Sequence, residues 1–224
     1  RNMFCIPIIA ENTEDAIERI AGAATLADVM EIRLDLMGAF DLPSIIRASG
    51  KPILVTYRSV MEGGKGEADP ETSAGYIMAA IQAGAEFVDI ELSMPSEWRE
   101  KIIDARGGSE IVVSSHTVDS TPSRQELDRV FNDSVATGAD IVKIVTKAQE
   151  WDDNLRVLEL IPMARARGVK IIAFCMGPMG RISRLFAHLM GAHLTFTSIE
   201  TGQESAAGQI PITEMKEMLQ QFEL

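Results

Sequence analysis

Short apolar runs rich in β-branched residues alternate with longer amphipathic or alanine-rich stretches along the whole sequence. The runs cover residues 3–10, 29–36, 52–58, 87–92, 111–116, 141–146, 170–176 and 194–199. Helix-like stretches follow them at 13–24, 42–48, 70–83, 96–105, 123–137, 153–167, 182–190 and 213–222. Strand then helix, about eight times over, is the pattern of parallel β-structure with crossover helices. The runs are nearly continuously hydrophobic, which suits a sheet covered on both faces. Helix starts are marked at Thr121-Pro122-Ser123 and Pro211-Ile212-Thr213-Glu214, and Gly84, Gly138, Gly168 and Gly191 mark helix exits. Eight such units in 224 residues predict an α/β fold, a single-domain (β/α)8 TIM barrel over residues 1–224. The rival architecture, an open doubly wound sheet, often carries a glycine-rich dinucleotide turn after its first strand. Here that position reads Ala10-Glu11-Asn12-Thr13, without glycine.

Composition narrows the function. Lys and Arg total 21 against 33 Asp and Glu, a net charge of −12, which argues against a nucleic-acid partner. A small anionic substrate stays open, because a local pocket can oppose the global sign. No stretch has the uncharged apolar length of a membrane span, so no membrane partner is expected. Cys5 and Cys175 both sit in apolar runs and do not make a disulfide framework, so a cytoplasmic location is expected. No leader peptide is recognisable in the run at 3–10, which meets Glu11 at once. With 3 His, 2 Cys and neither CxxC nor HExxH spacing, no metal site is expected.

The informative residues are polar groups inside strands. Side chains alternate along a strand, so residues i and i+2 share a face. Glu31, Arg33 and Asp35 share one face of the second run, Thr56 and Arg58 one of the third, Asp89 and Glu91 one of the fourth, and Ser114 and His116 one of the fifth. Most lie toward the C-terminal ends of their runs, where a barrel assembles its active site. Lys143 is enclosed by Ile141-Val142 and Ile144-Val145, unlike any other lysine of the chain. An amine there is expensive to charge, and a neutral amine attacks carbonyl carbon to give a Schiff base. The alternative is a structural ion pair, with Asp89 or Glu91 as partner. His116 ends its run one strand earlier, about 5 Å away across the sheet, and imidazole is suited to proton transfer near neutral pH. Arg33, Arg58 and Arg184 offer guanidinium forks for a carboxylate or phosphate; pairing of Arg33 with Glu31 or Asp35 is the plainer reading for that residue. Two glycine-containing loops follow strands, 62–66 and 201–209; the second is a candidate phosphate cradle or lid, and Met176 is a candidate lining residue.

Several of these segments, taken in order, resemble the type I 3-dehydroquinate dehydratases. They are Glu31-Ile32-Arg33-Leu34-Asp35; Thr56-Tyr57-Arg58-Ser59 followed by Glu62-Gly63-Gly64; the strand ending at His116; Val142-Lys143-Ile144; Met176 with Gly180-Arg181-Ile182-Ser183-Arg184; and Ser205-Ala206-Ala207-Gly208-Gln209-Ile210. The resemblance implies a (β/α)8 barrel that removes water from 3-dehydroquinate to give 3-dehydroshikimate, a step of aromatic amino acid biosynthesis. It implies that Lys143 forms the imine, that His116 acts as general base and then acid, and that Glu62 is the carboxylate paired with this histidine. It assigns Glu31, Arg33 and Arg58 to substrate oxygens, Arg184 to the carboxylate, and Ser205 and Gln209 to closure over the substrate. It raises a homodimer as a candidate assembly. The imine is an electron sink supplied by the protein, so no cofactor is expected. Two other readings fit the residues: a class I aldolase or transaldolase using the same lysine, and a non-catalytic binding barrel.

Overall fold

The computed structural model describes residues 2–222. Eight strands, β1 (Met3–Ile8), β2 (Val29–Arg33), β3 (Ile53–Thr56), β4 (Phe87–Glu91), β5 (Glu110–His116), β6 (Ile141–Lys147), β7 (Lys170–Met176) and β8 (Leu194–Phe196), form one parallel sheet. From β1 to β7 each strand pairs with its neighbour in sequence, and β1 also pairs with β8. The ring is completed where the His193 N–H donates to Ile171 O at 2.7 Å, bringing the entry of β8 against β7. This is the (β/α)8 barrel expected from the alternation.

Nine helices lie outside it among the described residues: α1 (Thr13–Ala23), α2 (Leu42–Ala48), α3 (Pro70–Gln82), α4 (Ser96–Asp104), α5 (Arg124–Ala136), α6 (Trp151–Leu158), α7 (Leu160–Ala166), α8 (Arg181–Met190) and α9 (Ile212–Gln220). Their starts are chemically specified. Asn12, Asp41 and Asp69 accept the first free N–H groups of α1, α2 and α3. Ser123 and Glu126 close a reciprocal capping box on α5. The four glycines expected to end helices all sit at positive φ, between 68° and 97°, where a side chain would be strained.

Three expectations need correction. The helix expected at 153–167 is two helices with a break at Glu159. Pro162 has no N–H to offer Leu158 O, and its ring crowds that carbonyl, so one helix cannot run through. The second run ends as strand at Arg33; Leu34–Leu36 curls into a 3-10 turn, so Asp35 is not a third residue on the Glu31–Arg33 face. The third run leaves the sheet after Thr56, so Arg58 stands beyond the strand rather than on it.

The two strand phases do different work. Outward residues such as Ile6, Ile32, Val55, Val88 and Val113 pack under the helices in the largest core cluster. Inward residues form a floor of Cys5, Val29, Leu54, Phe87, Val112, Ile141, Ile172 and Leu194. Two residues further along β2 to β8 this floor gives way to Glu31, Thr56, Asp89, Ser114, Lys143, Phe174 and Phe196, all but Phe174 and Phe196 polar or charged, and all buried. Burying several charges costs several kcal/mol each unless they are paired, so this layer is held by mutual contacts, described next.

Candidate active site

One cleft of about 520 Å³ opens at the C-terminal end of the strands. The ten residues expected to be catalytic or to contact substrate line it: Glu31, Arg33, Arg58, Glu62, His116, Lys143, Met176, Arg184, Ser205 and Gln209; of the other polar strand residues noted in the sequence, Asp35, Thr56, Asp89, Glu91 and Ser114 do not. Between them come Val145, Phe174 and Phe196, which the sequence reading did not select. Their signal was available in phase: Phe174 and Phe196 lie two residues along from floor residues Ile172 and Leu194.

Lys143 is 4% exposed, and its Nζ lies 3.1 Å from Asp89 and 3.9 Å from Glu31, with the Phe196 ring at 4.4 Å. Lys143 thus lines the cleft and is paired with Asp89. The expectation of a nitrogen with aliphatic neighbours alone needs correcting, since Asp89 and Glu31 both lie within 4 Å of it. Glu31 is oriented in turn by the Thr56 hydroxyl, which donates to it at 2.9 Å. Asp89 also lies 2.9 Å from Arg58 Nη2 and accepts from Ser114 Oγ at 2.6 Å. Burial alone would raise its pKa, but Arg58 and Lys143 outweigh that and hold it well below the usual carboxylate range. Arg58 donates to Glu91 and to Ser114, both at 3.0 Å. It is thus the hub of the polar layer, and its charge is already met inside the protein.

His116 Nδ1 lies 2.8 Å from Glu62 Oε2, and the His116 backbone N–H donates to the same oxygen at 3.0 Å. Ser93 Oγ donates to the other carboxylate oxygen at 2.7 Å. With Nδ1 engaged, Nε2 is the nitrogen left for chemistry. Burial lowers the imidazole well below its ordinary value, and the nearby charges of Arg58 and Lys143 act the same way, so the ring is neutral at pH 7. Burial pushes Glu62 up to about 7, with the Glu91 charge adding and Arg58 opposing. The pair is a base with its proton store beside it. Glu62 itself is presented by a 3-10 turn (Val60–Glu62) in which the Ser59 hydroxyl oxygen accepts from the Glu62 N–H.

The three arginines are not equivalent. Arg33 is bound bidentately by Asp35, at 2.8 and 2.7 Å, and that carboxylate also accepts the backbone N–H groups of Arg58 and Lys65. Arg184, 1% exposed, has no carboxylate partner among the described residues. Its Nε and Nη1 are without hydrogen bonds, its Nη2 reaches Ala207 O only at 3.4 Å, and its guanidinium sits 4.2 Å over Phe174. Burial lowers it to about 9, which leaves it charged at neutral pH. A buried cation aimed into a cleft without a counter-charge is a site for an anion.

The loop at 201–209 folds over the cleft. Gln209 Nε2 donates to Ser205 Oγ at 2.9 Å, and the Ser205 N–H donates back to Gln209 Oε1 at 3.0 Å. Gly177 N–H to Ala207 O, 3.0 Å, ties this loop to the one after β7. Gly208 lies so near Gly177 that a β-carbon would stand 2.5 Å from its carbonyl oxygen, and its φ is +86°. Only glycine allows this loop–loop approach.

The geometry of a buried lysine, a carboxylate-held histidine and a free buried arginine at one barrel mouth meets a family-wide comparison. Residues 4–224 match the model of the family described as type I 3-dehydroquinase. The chain belongs to the type I 3-dehydroquinase family. Within it, the chain is 35% identical to the 3-dehydroquinate dehydratase of Methanosarcina acetivorans, covering 95% of this chain and 93% of that one. It is 34% identical to the bifunctional chloroplastic 3-dehydroquinate dehydratase/shikimate dehydrogenase of Arabidopsis thaliana, of whose length it spans 36%. Among solved structures, the type I 3-dehydroquinate dehydratase of Clostridium difficile superposes with a TM-score of 0.88 at 26% identity, covering 99% of this chain and 92% of that chain. The 3-hexulose-6-phosphate synthase of Salmonella typhimurium, TM-score 0.61 at 17% identity, shares the fold alone. Family membership makes the protein a type I 3-dehydroquinate dehydratase, a hydro-lyase of the shikimate pathway, and takes away the ground for the aldolase and the non-catalytic readings.

Proposed function

We propose that this cleft carries out the dehydration of 3-dehydroquinate with Lys143, His116 and Glu62 as its catalytic residues. The observation that carries the assignment is the cleft's division of labour: one amine, one oriented neutral base and one unsatisfied cation face the same space. The substrate carboxylate takes the two free donors of Arg184. Neutral His116 takes a proton from Lys143, the amine attacks the ketone carbon, and His116 returns that proton to the carbinolamine hydroxyl; water leaves, a protonated imine remains and the histidine is neutral again. The iminium withdraws electrons, so His116 Nε2 can take a proton from the adjacent carbon and leave an enamine. The enamine expels hydroxide from the β carbon, and His116 returns its proton to that oxygen. Hydrolysis of the imine restores Lys143, and the net change is loss of one water. Glu62 keeps the imidazole in the tautomer with Nε2 free and offsets the imidazolium while it lasts. Glu31, Arg33 and Arg58 hold substrate hydroxyls, Met176 with Phe174 shapes the apolar wall, and Ser205 and Gln209 close the top.

Borohydride reduction in the presence of 3-dehydroquinate tests this. Wild-type protein is expected to give one covalent adduct on Lys143, Lys143→Ala none, and His116→Ala the adduct with turnover slowed by about 10²–10⁴. An adduct on another residue refutes the role of Lys143, and wild-type turnover in His116→Ala removes the histidine from the mechanism.

We also propose a homodimer and a cytoplasmic setting. Support for the first is an exposed apolar stripe on two adjacent helices, Trp151 and Leu155 on α6 with Ile182, Phe186 and Leu189 on α8. Support for the second is that both cysteines are free and buried. No helix among the described residues is long and apolar enough to cross a membrane.

A further inference from the structure

We propose that Lys147 is the entrance cation of this cleft, a residue outside the chemistry that draws the substrate carboxylate to the mouth and on toward Arg184. The inference rests on the activity proposed above. A chain of net charge −12 repels a small anion over most of its surface, so capture requires local positive potential at the mouth. The cations inside the cleft cannot supply it. Arg33 is neutralised by Asp35 at 2.7 Å, Arg58 by Asp89 and Glu91 at 2.9 and 3.0 Å, and Lys143 by Asp89 at 3.1 Å. Arg184 is free but buried, and it meets an anion only after entry.

Lys147 is the last residue of β6, two beyond Val145 and four beyond Lys143, and so continues their inward phase up to the rim. In the sheet it pairs with Met176, a lining residue. Its aliphatic stem lies beside Gly177, whose N–H bonds Ala207 O, the carbonyl that Arg184 approaches. Rim lysine and buried arginine are therefore the two ends of one continuous wall. Lys147 is exposed, and among the described residues its ammonium has no ion-pair or hydrogen-bond partner. Glu200 and Glu204, around the start of the loop that covers the cleft, add to the negative field that an incoming anion must cross.

The test compares Lys147→Ala and Lys147→Glu with Lys51→Glu, which makes the same change of net charge just before β3, at the opposite end of the barrel. Steady-state kinetics with 3-dehydroquinate are measured at low and at high salt. At low salt kcat/KM is expected to fall about 2–4-fold in Lys147→Ala and about 4–15-fold in Lys147→Glu, with kcat unchanged, for charges on the order of 10 Å apart. At about 0.5 M salt the differences are expected to shrink below about twofold, and Lys51→Glu to stay near wild type throughout. A loss in kcat, a loss indifferent to salt, or equal effects of Lys147→Glu and Lys51→Glu overturns the inference. Borohydride trapping at saturating substrate separates the two levels. An adduct on Lys143 in every variant without a salt-dependent Lys147 effect removes only the entrance cation, whereas no adduct in wild type removes the activity it serves.

Discussion

Arg184→Met should make the free protein more stable while crippling its affinity for substrate. The guanidinium is buried, lacks a carboxylate partner among the described residues, and has its pKa lowered by burial from the ordinary arginine range to about 9. Keeping the charge there at neutral pH costs about 5 kcal/mol at most, at about 1.4 kcal/mol for each tenfold change in proton affinity. Methionine is unbranched and fills the same slot against Phe174 without a charge or donors to satisfy. Replacing a buried ion by an apolar side chain of similar volume typically gains about 1–4 kcal/mol. For a chain of this size that raises Tm by about 2–4 °C per kcal/mol. Against this gain stand two hydrogen bonds to the substrate carboxylate, about 1.5–3 kcal/mol each, so KM should rise about 10²–10⁴-fold. The assay is urea and thermal unfolding of both proteins at pH 7, with and without saturating substrate, beside steady-state kinetics. At one fixed substrate concentration the wild type should be stabilised more than the variant. A variant less stable than wild type without substrate would show that the guanidinium is well satisfied in the free protein. An unchanged KM would show that it does not hold the carboxylate.

Two further outcomes follow from the same geometry. Glu62 is an acid whose pKa rises from 4.5 unfolded to about 7 folded, through burial and Glu91 against Arg58, with His116, Ser93 and Asp89 also facing it. The folded chain therefore binds more protons between those values; stability falls as pH rises from 4.5 to 7, by about 3 kcal/mol in full, and the cost persists above. Glu62→Gln should flatten that slope in urea unfolding at pH 5 and pH 8, and a slope equal to wild type's would refute the assignment. For the assembly, Leu155→Glu with Phe186→Glu should give a monomer by light scattering if α6 and α8 form the interface, whereas a dimer that survives both charges places the contact elsewhere.

Much of the site was legible because a strand's period of two is strict. Once the floor of the barrel is apolar, the polar residues two and four positions further along must face the mouth, which is how Glu31, His116 and Lys143 stand out in one dimension. The Lys143 neighbourhood was not legible. Asp89 and Glu31 come from strands on other sides of the barrel, and their distances of 3.1 and 3.9 Å depend on strand stagger and ring closure. Asp35 misled for a related reason: a chain can leave the sheet one residue after Arg33 when the side chains it carries find partners in a turn. Pro162, by contrast, encodes its helix break locally, a signal that the expectation of one helix over 153–167 passed over.

The sequence by itself determined the alternation, the capped helix starts, the inward phase of each strand and the family motifs, because each is set by neighbours a few residues away. Only the tertiary structure decided which cations are neutralised and which remain free. Arg33, Arg58 and Arg184 are alike in the sequence; burial and partners from distant strands make one a clamp for Asp35, one the hub of the polar layer and one an anion site. Charge pairing acts through space at 3–4 Å, and no local pattern encodes which residues come that close.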